Sequence, residues 1–324
     1  NDKNINAYKR LGFRYNLGSP GIFLGYNADD GLFMGGGPVV NRYLFRRHNK
    51  FSVMANYAAL TNAYNLKLGF DSETEIKGID HHFAVDYKAP GFSLNYFGSG
   101  NNSIKIGDDK SYYRLKRGLI EVDYALGYRF GKTAFKTTHD GSINESSLKI
   151  GAFLKVYGDE ENTQNSYIGD IGKNGLTTID WMNQRFAGLF ANYFYSNLDK
   201  KTNPKRGIQL DIQGKQYFDL NEFYDSFFML STDFRAYLSF TRNPRTVLAF
   251  RIGGETVLGD NYSFLESAKL GGKTNLRGYW NDRFYGDQAI YQNTELRFKM
   301  FDFKSYILNG ELGLLGFYDS GRIW

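Results

Sequence analysis

The chain has 324 residues, a formal net charge of +6, 17% aromatic residues and no cysteine. Its mean hydropathy of −0.48, with no apolar run of about 18 residues, excludes a helical membrane protein, but not a barrel whose polar inner face dilutes the average. Zero cysteines exclude a disulfide framework and thiolate metal sites. The cations are dispersed, with Arg46-Arg47 and Lys200-Lys201 as isolated pairs, so the basic balance carries no nucleic-acid-binding patch.

The first residues, Asn1–Arg10, are polar and form no signal peptide; an exported protein would have lost its leader, so this discriminates nothing. Turn signals then divide the chain: Asn27-Ala28-Asp29-Asp30-Gly31, Arg47–Lys50, Ala89-Pro90-Gly91 and Asn203-Pro204-Lys205-Arg206-Gly207. Between them the reading places strands at 21–27, 31–42, 50–60, 63–75, 79–98, 112–130, 146–158, 181–195, 206–219, 227–241, 245–257, 287–300 and 308–324. The segment 79–98 splits into two strands if Pro90-Gly91 breaks it. The polar stretches Gly98–Ser111, Lys132–Ser146 and Gly158–Thr178 read as long loops, expected to alternate with short turns.

Alternation is clearest in the second half. In Phe227–Thr241, Phe228, Leu230, Phe234, Ala236, Leu238 and Phe240 share one face, and Asp233, Arg235, Tyr237 and Ser239 the other. Ile208, Leu210 and Ile212 oppose Gln209, Asp211 and Gln213; Leu296, Phe298 and Met300 oppose Asn293, Glu295, Arg297 and Lys299. Such period-two patterns make strands with one apolar and one polar face. A soluble sandwich would bury the apolar face on a second sheet. Segments of about 10–14 residues exceed the usual strand of ~5–6 and suit a tilted membrane span. Charges recur on the polar faces, as with Glu121, Asp123 and Arg129, which a wet lumen tolerates. The fold class expected is all-β, a transmembrane antiparallel barrel occupying residues 1–324 as one domain.

The loop Asp260–Gly286 is about 27 residues long and rich in apolar side chains, among them Leu265, Leu270, Leu276, Trp280 and Tyr285. Folding into the lumen would give these something to pack against. Arg277, at the loop tip, would then be an enclosed cation that needs carboxylates. Glu295 and Asp319 stand on lumen faces of later strands, Asp319 sharing its face with Phe317 and Gly321. A guanidinium fork suits two carboxylates at once, and Gly278 and Gly321, without side chains, allow close backbone approach.

These residues carry a family resemblance. Leu276-Arg277-Gly278-Tyr279, the inward Glu295 of Asn293-Thr294-Glu295-Leu296, and Phe317-Tyr318-Asp319-Ser320-Gly321 with Trp324 after it resemble, in order and spacing, the sixth-loop tip and following strands of the BamA/TamA outer-membrane assembly superfamily. Close likeness covers about the last 80 residues. The early segment Gly25–Gly37 is similar to the first hairpin of a branch fused to N-terminal patatin-like or metallophosphoesterase-like domains. The resemblance implies a bacterial outer-membrane location and a complete barrel of about 16 strands, about 13 of them read here. It further implies missing closing strands, and a periplasmic or passenger domain before the barrel. The implied partners are outer-membrane lipids, client polypeptides and accessory outer-membrane lipoproteins.

Chemistry of other kinds finds little support. Gly272-Lys273-Thr274 ends like a phosphate-binding loop, but its first glycine would fall at Ser267. His81 and His82 point to opposite faces of a strand, so joint metal ligation fails, and no catalytic set, metal site or cofactor is expected. Glu295 and Asp319 resemble a catalytic carboxylate pair, yet an arginine between them would keep both ionised. The functions implied are insertion of outer-membrane proteins or polypeptide translocation. The alternatives are an anchor or export channel for an N-terminal hydrolase, or a passive pore.

Overall fold

The computed structural model describes residues 16–27, 31–45, 47–74, 78–90, 94–104, 107, 109, 111–130, 143–158, 166–172, 182–239, 244–304 and 309–324. Thirteen long strands form one antiparallel sheet in which each pairs with its neighbours in sequence: β1 (Leu17–Asn27), β2 (Gly31–Leu44), β3 (Arg47–Ala58), β4 (Ala63–Thr74), β5 (Ile79–Lys88), β6 (Leu119–Phe130), β7 (Ile143–Tyr157), β8 (Gln184–Leu198), β9 (Gly207–Asp219), β10 (Phe227–Leu238), β11 (Thr246–Leu258), β14 (Gln288–Lys304) and β15 (Asn309–Ile323). Two short strands, β12 (Ala268–Leu270) and β13 (Phe284–Gly286), pair with each other between β11 and β14. This up-and-down order is that of a barrel wall rather than of two packed sheets. Among the described residues β1 and β15 are not paired with each other.

The period-two pattern decides which face is wet. Ile150, Leu154, Leu189, Leu238, Leu296 and Leu314 project outward and stay open, an apolar belt that none of the described residues covers. The alternate residues face the lumen, where Phe153, Tyr157, Phe186, Tyr217 and Phe227 join a buried cluster with Leu265 and Tyr285 of the β11–β14 loop. Stacked and edge-on rings continue it, Tyr217 lying 4.6 Å from Phe227 and Phe153 4.8 Å from Tyr217. Charges on this face pair across the curvature: Lys215 on β9 reaches Glu121 on β6 at 3.7 Å, and Arg129 on β6 reaches Asp80 on β5 at 2.7 Å.

Several boundaries differ from the sequence reading. The segment read as 79–98 stops as a strand at Lys88, before Pro90; Gly91 lies outside the described residues. The strand read from 112 starts at Leu119, because Tyr113 and Leu115 turn inward and are fully buried. β3 begins at Arg47, inside the presumed turn, since the Arg47 side chain is held by Ser72 and the Ile79 carbonyl. Up-and-down alternation places the 89–118 and 158–183 connections at the same end as the β11–β14 loop. The polar stretch 131–142 joins β6 to β7 at the opposite end; it, Ala28–Asp30, 159–165 and 173–181 lie outside the described residues. No helix among the described residues is long and apolar enough to cross a membrane, which says nothing against crossing by strands.

Candidate functional site

The loop between β11 and β14 enters the lumen and is held at two levels. At its base, Ser263 caps a short helical turn, Phe264–Glu266, and its hydroxyl donates to Gln184 Oε1 at 2.5 Å. Glu266 follows, with its side chain 4% exposed. Its Oε1 accepts from Lys155 Nζ and from the Tyr157 hydroxyl, both at 2.7 Å, so the base is tied to β7. Burial alone would raise the Glu266 pKa, but Lys155, Lys269 and the Tyr157 hydroxyl outweigh it and hold the carboxyl below its ordinary value. Tyr285, fully buried, donates to the Asn95 carbonyl at 2.6 Å and meets Tyr96 edge-on at 5.0 Å.

Beyond the β12–β13 pair lies the tip, a four-residue helix α1 (Gly272–Asn275) followed by Leu276, Arg277, Gly278 and Tyr279. Gly271 enters the tip at φ 138°, and a Cβ there would lie 2.2 Å from the Trp280 carbonyl oxygen, so no other residue fits. Arg277 turns its guanidinium onto the wall. Its Nε and Nη2 donate to Asp319 at 2.8 and 2.6 Å, and its Nη1 to Glu295 Oε1 at 2.6 Å. Its backbone N–H adds a fourth bond, to Asp319 Oδ2 at 3.0 Å. The hydrogen bonds to Asp319 come first among the causes that keep the Arg277 cation above its ordinary pKa. Phe317 lies under the guanidinium, 4.1 Å from ring centre to Cζ.

Register explains why the carboxylates converge. Asn293 pairs with Asp319 and Glu295 with Phe317 across β14–β15, so the two acids are diagonal neighbours on one face. Leu276 is buried, while Tyr279 is half exposed and stands edge-on to Phe284 at 5.3 Å. At Gly321 a Cβ would lie 3.1 Å from Leu270 Cδ1, so the missing side chain does give the loop room. Gly278 differs from expectation: nothing lies near its Cβ position, and the glycine serves instead to supply a φ of 91° just past the arginine.

Sequence reasoning singled out Arg277 with Glu295 and Asp319, which the structure places together. It missed Glu266 with Lys155, because a lone acid in a long loop carries no distinguishing pattern. It also left unassembled the cluster in which Asp233 binds Arg235 Nε at 2.7 Å, Arg251 Nε at 2.6 Å and the Tyr291 hydroxyl at 2.8 Å. Arg251 Nη1 also bonds the Thr274 carbonyl, and Lys273 Nζ the Tyr26 carbonyl of β1 at 3.0 Å, so the tip touches three regions of the wall. His81 bonds Tyr124 and His82 bonds Asp71, on separate faces. His139 lies outside the described residues. Among the described residues no group of three or more potential metal ligands assembles.

An antiparallel wall that is apolar outside and charged inside, with a long loop bonded to its inner face, defines a transmembrane β-barrel of the outer-membrane type. Residues 44–324 match the Omp85 superfamily domain, and the chain belongs to that superfamily. Among solved structures it is similar to BamA from Haemophilus ducreyi lacking POTRA domains 1-3, with a TM-score of 0.64 and 18% identity. That match spans 96% of this chain and 58% of the BamA chain. No curated protein gives a match. The protein is an outer-membrane β-barrel of the BamA/TamA type, located in the bacterial outer membrane, and its superfamily is not one of enzymes.

Proposed function

We propose that this barrel handles polypeptide, inserting outer-membrane proteins or moving chains across the outer membrane, with the Asp260–Gly286 loop locked in the lumen through Arg277. Its partners in this reading are outer-membrane lipids, client polypeptides and accessory lipoproteins. The observation that carries the reading is the pairing of Arg277 with both Asp319 and Glu295 beneath the loop tip. A guanidinium held by two carboxylates is stable yet reversible, because a partly hydrated lumen offers water to each partner as they separate. The buried loop residues Leu265, Ala268, Leu270 and Tyr285 fill space that a passive diffusion pore would leave open. The test is reconstitution in liposomes with an unfolded outer-membrane protein as client. Faster insertion of the client than into empty liposomes, slowed at least tenfold by Arg277→Ala, is expected. Equal rates with and without the protein would sink the reading.

A further inference from the structure

Beside the loop tip the lumen holds a second feature that the lock leaves unused. A cavity of about 190 Å³ is lined by Arg235, Arg251, Lys273, Arg277 and Arg297, with Glu295 among them. Asp233 and Asp319 stand behind these cations, so at this cavity five positive charges meet three carboxylates, while Asp211, Glu255 and Asp282 line the adjoining cavity that Arg235 also borders.

The hydrogen-bond ledger shows the same surplus. Asp233 Oδ1 takes Arg235, and its Oδ2 takes Arg251 and Tyr291. Glu295 gives one oxygen to Arg277 and the other to Arg297, and Asp319 gives both to Arg277. All six carboxylate oxygens are engaged, while donors remain. Arg235 uses only its Nε, and its two terminal nitrogens have no partner among the described residues. Arg297 Nη1 has only Asn203 Oδ1 at 3.4 Å. A planar fork with its terminal donors free, in a lumen cavity with surplus positive charge, matches the geometry of a carboxylate or phosphate.

We propose that this cavity is an oxyanion-binding site, with Arg235 as its principal donor and Arg297 and Lys273 beside it. The ligand is one carboxylate or phosphate group. Its source is either an acidic side chain of a polypeptide in the lumen or a free phosphate ion. The site depends only on the tip lying in the lumen, not on the protein's having a client, so its test can fail or succeed independently of the insertion assay.

The experiment measures inorganic phosphate binding to the detergent-solubilised protein by phosphorus NMR line broadening, at fixed ionic strength. Saturable binding of one phosphate per chain is expected, weakened roughly tenfold or more by Arg235→Gln, the loss expected for one charge-assisted fork. Lys149→Gln removes the same charge from a different lumen cavity and should change binding less than about twofold. Arg297→Gln serves as a second variant should Arg235→Gln disturb folding, as judged by circular dichroism. An unstructured peptide rich in glutamate is then added, with its glutamine counterpart as control. Displacement of phosphate by the acidic peptide alone identifies polypeptide carboxylates as ligands; displacement by neither identifies a small-ion site. Unsaturable binding, or equal weakening by Arg235→Gln and Lys149→Gln, would mean diffuse lumen charge and overturn the proposal.

Discussion

The base and the tip of the lumen loop are fastened by different physics. At the base, Glu266 and Lys155 are 4% and 12% exposed, and Lys155 lies over the Tyr157 ring, so their pairing is enclosed although a cavity of about 210 Å³ adjoins it. At the tip, the Arg277 side chain is 26% exposed, although Asp319 beneath it is 3% exposed. An enclosed pair is costly to break when the partner left behind keeps a charge it cannot hydrate; at the tip a departing loop uncovers Asp319, so water reaches the carboxylate left behind. On this contrast a substitution at one level should leave the other seated.

The largest effect is expected at the base. Glu266→Ala leaves the Lys155 ammonium enclosed without its carboxylate and should cost about 3–5 kcal/mol. Thermal unfolding in detergent, followed by circular dichroism, measures it; a cost no larger than that of Arg277→Ala would erase the distinction between the two levels. Glu266→Gln, which keeps an acceptor for the Tyr157 hydroxyl, should lose less.

Next comes the tip. Arg277→Ala and Asp319→Ala should each cost ~1.5–3 kcal/mol, the range of charged hydrogen bonds, and the double substitution no more than either single, since both act on one interaction. Arg277→Lys should not restore the loss, because an ammonium cannot span both acids. Limited proteolysis supplies the local readout. Lys273 should become cleavable in these variants while Arg283, whose Nη1 donates to Ser103 Oγ at 2.6 Å, stays protected. Cleavage at both sites would show that the loop leaves as one piece.

Smaller effects sharpen the comparison. Gly278→Ala has room for its methyl but not the backbone for it, and should cost about 1–2 kcal/mol through the positive φ alone. Phe317→Ala removes the ring under the guanidinium and should cost about 0.5–1 kcal/mol, visible as partial cleavage at Lys273. Mild acid should do least at the base. Because the folded Glu266 carboxyl is held below its ordinary value, its stabilising share is complete above that value and is lost only as pH falls through the lowered one. Acidification from pH 7 to 5 should leave the base seated, with release only below about pH 4, the ordinary carboxylate range. Hydrogen exchange of the Leu265 amide across that range checks the order.

Sequence alone carried the wall and one corner of the site. Alternation at Phe227–Leu238 and Gln288–Lys304 fixes which side chains meet lipid and which meet water, because a strand's side chains alternate by covalent geometry. Arg277, Glu295 and Asp319 were legible because each sits in a short distinctive motif on a lumen face. The ends of β5 and β6 were not legible. Aromatic residues such as Tyr113 score as strand, and only the space inside the barrel turned them into a plug. The role of Gly278 was likewise hidden, since a glycine in a sequence does not say whether it is kept for space or for a dihedral angle. Lys155 and Glu266 stand more than a hundred positions apart, on a strand and a loop with no shared pattern. Their pairing, the donor surplus around Arg235 and the contrast between an enclosed base and a more exposed tip were decided by tertiary structure, because burial and pairing depend on what the fold brings opposite a residue.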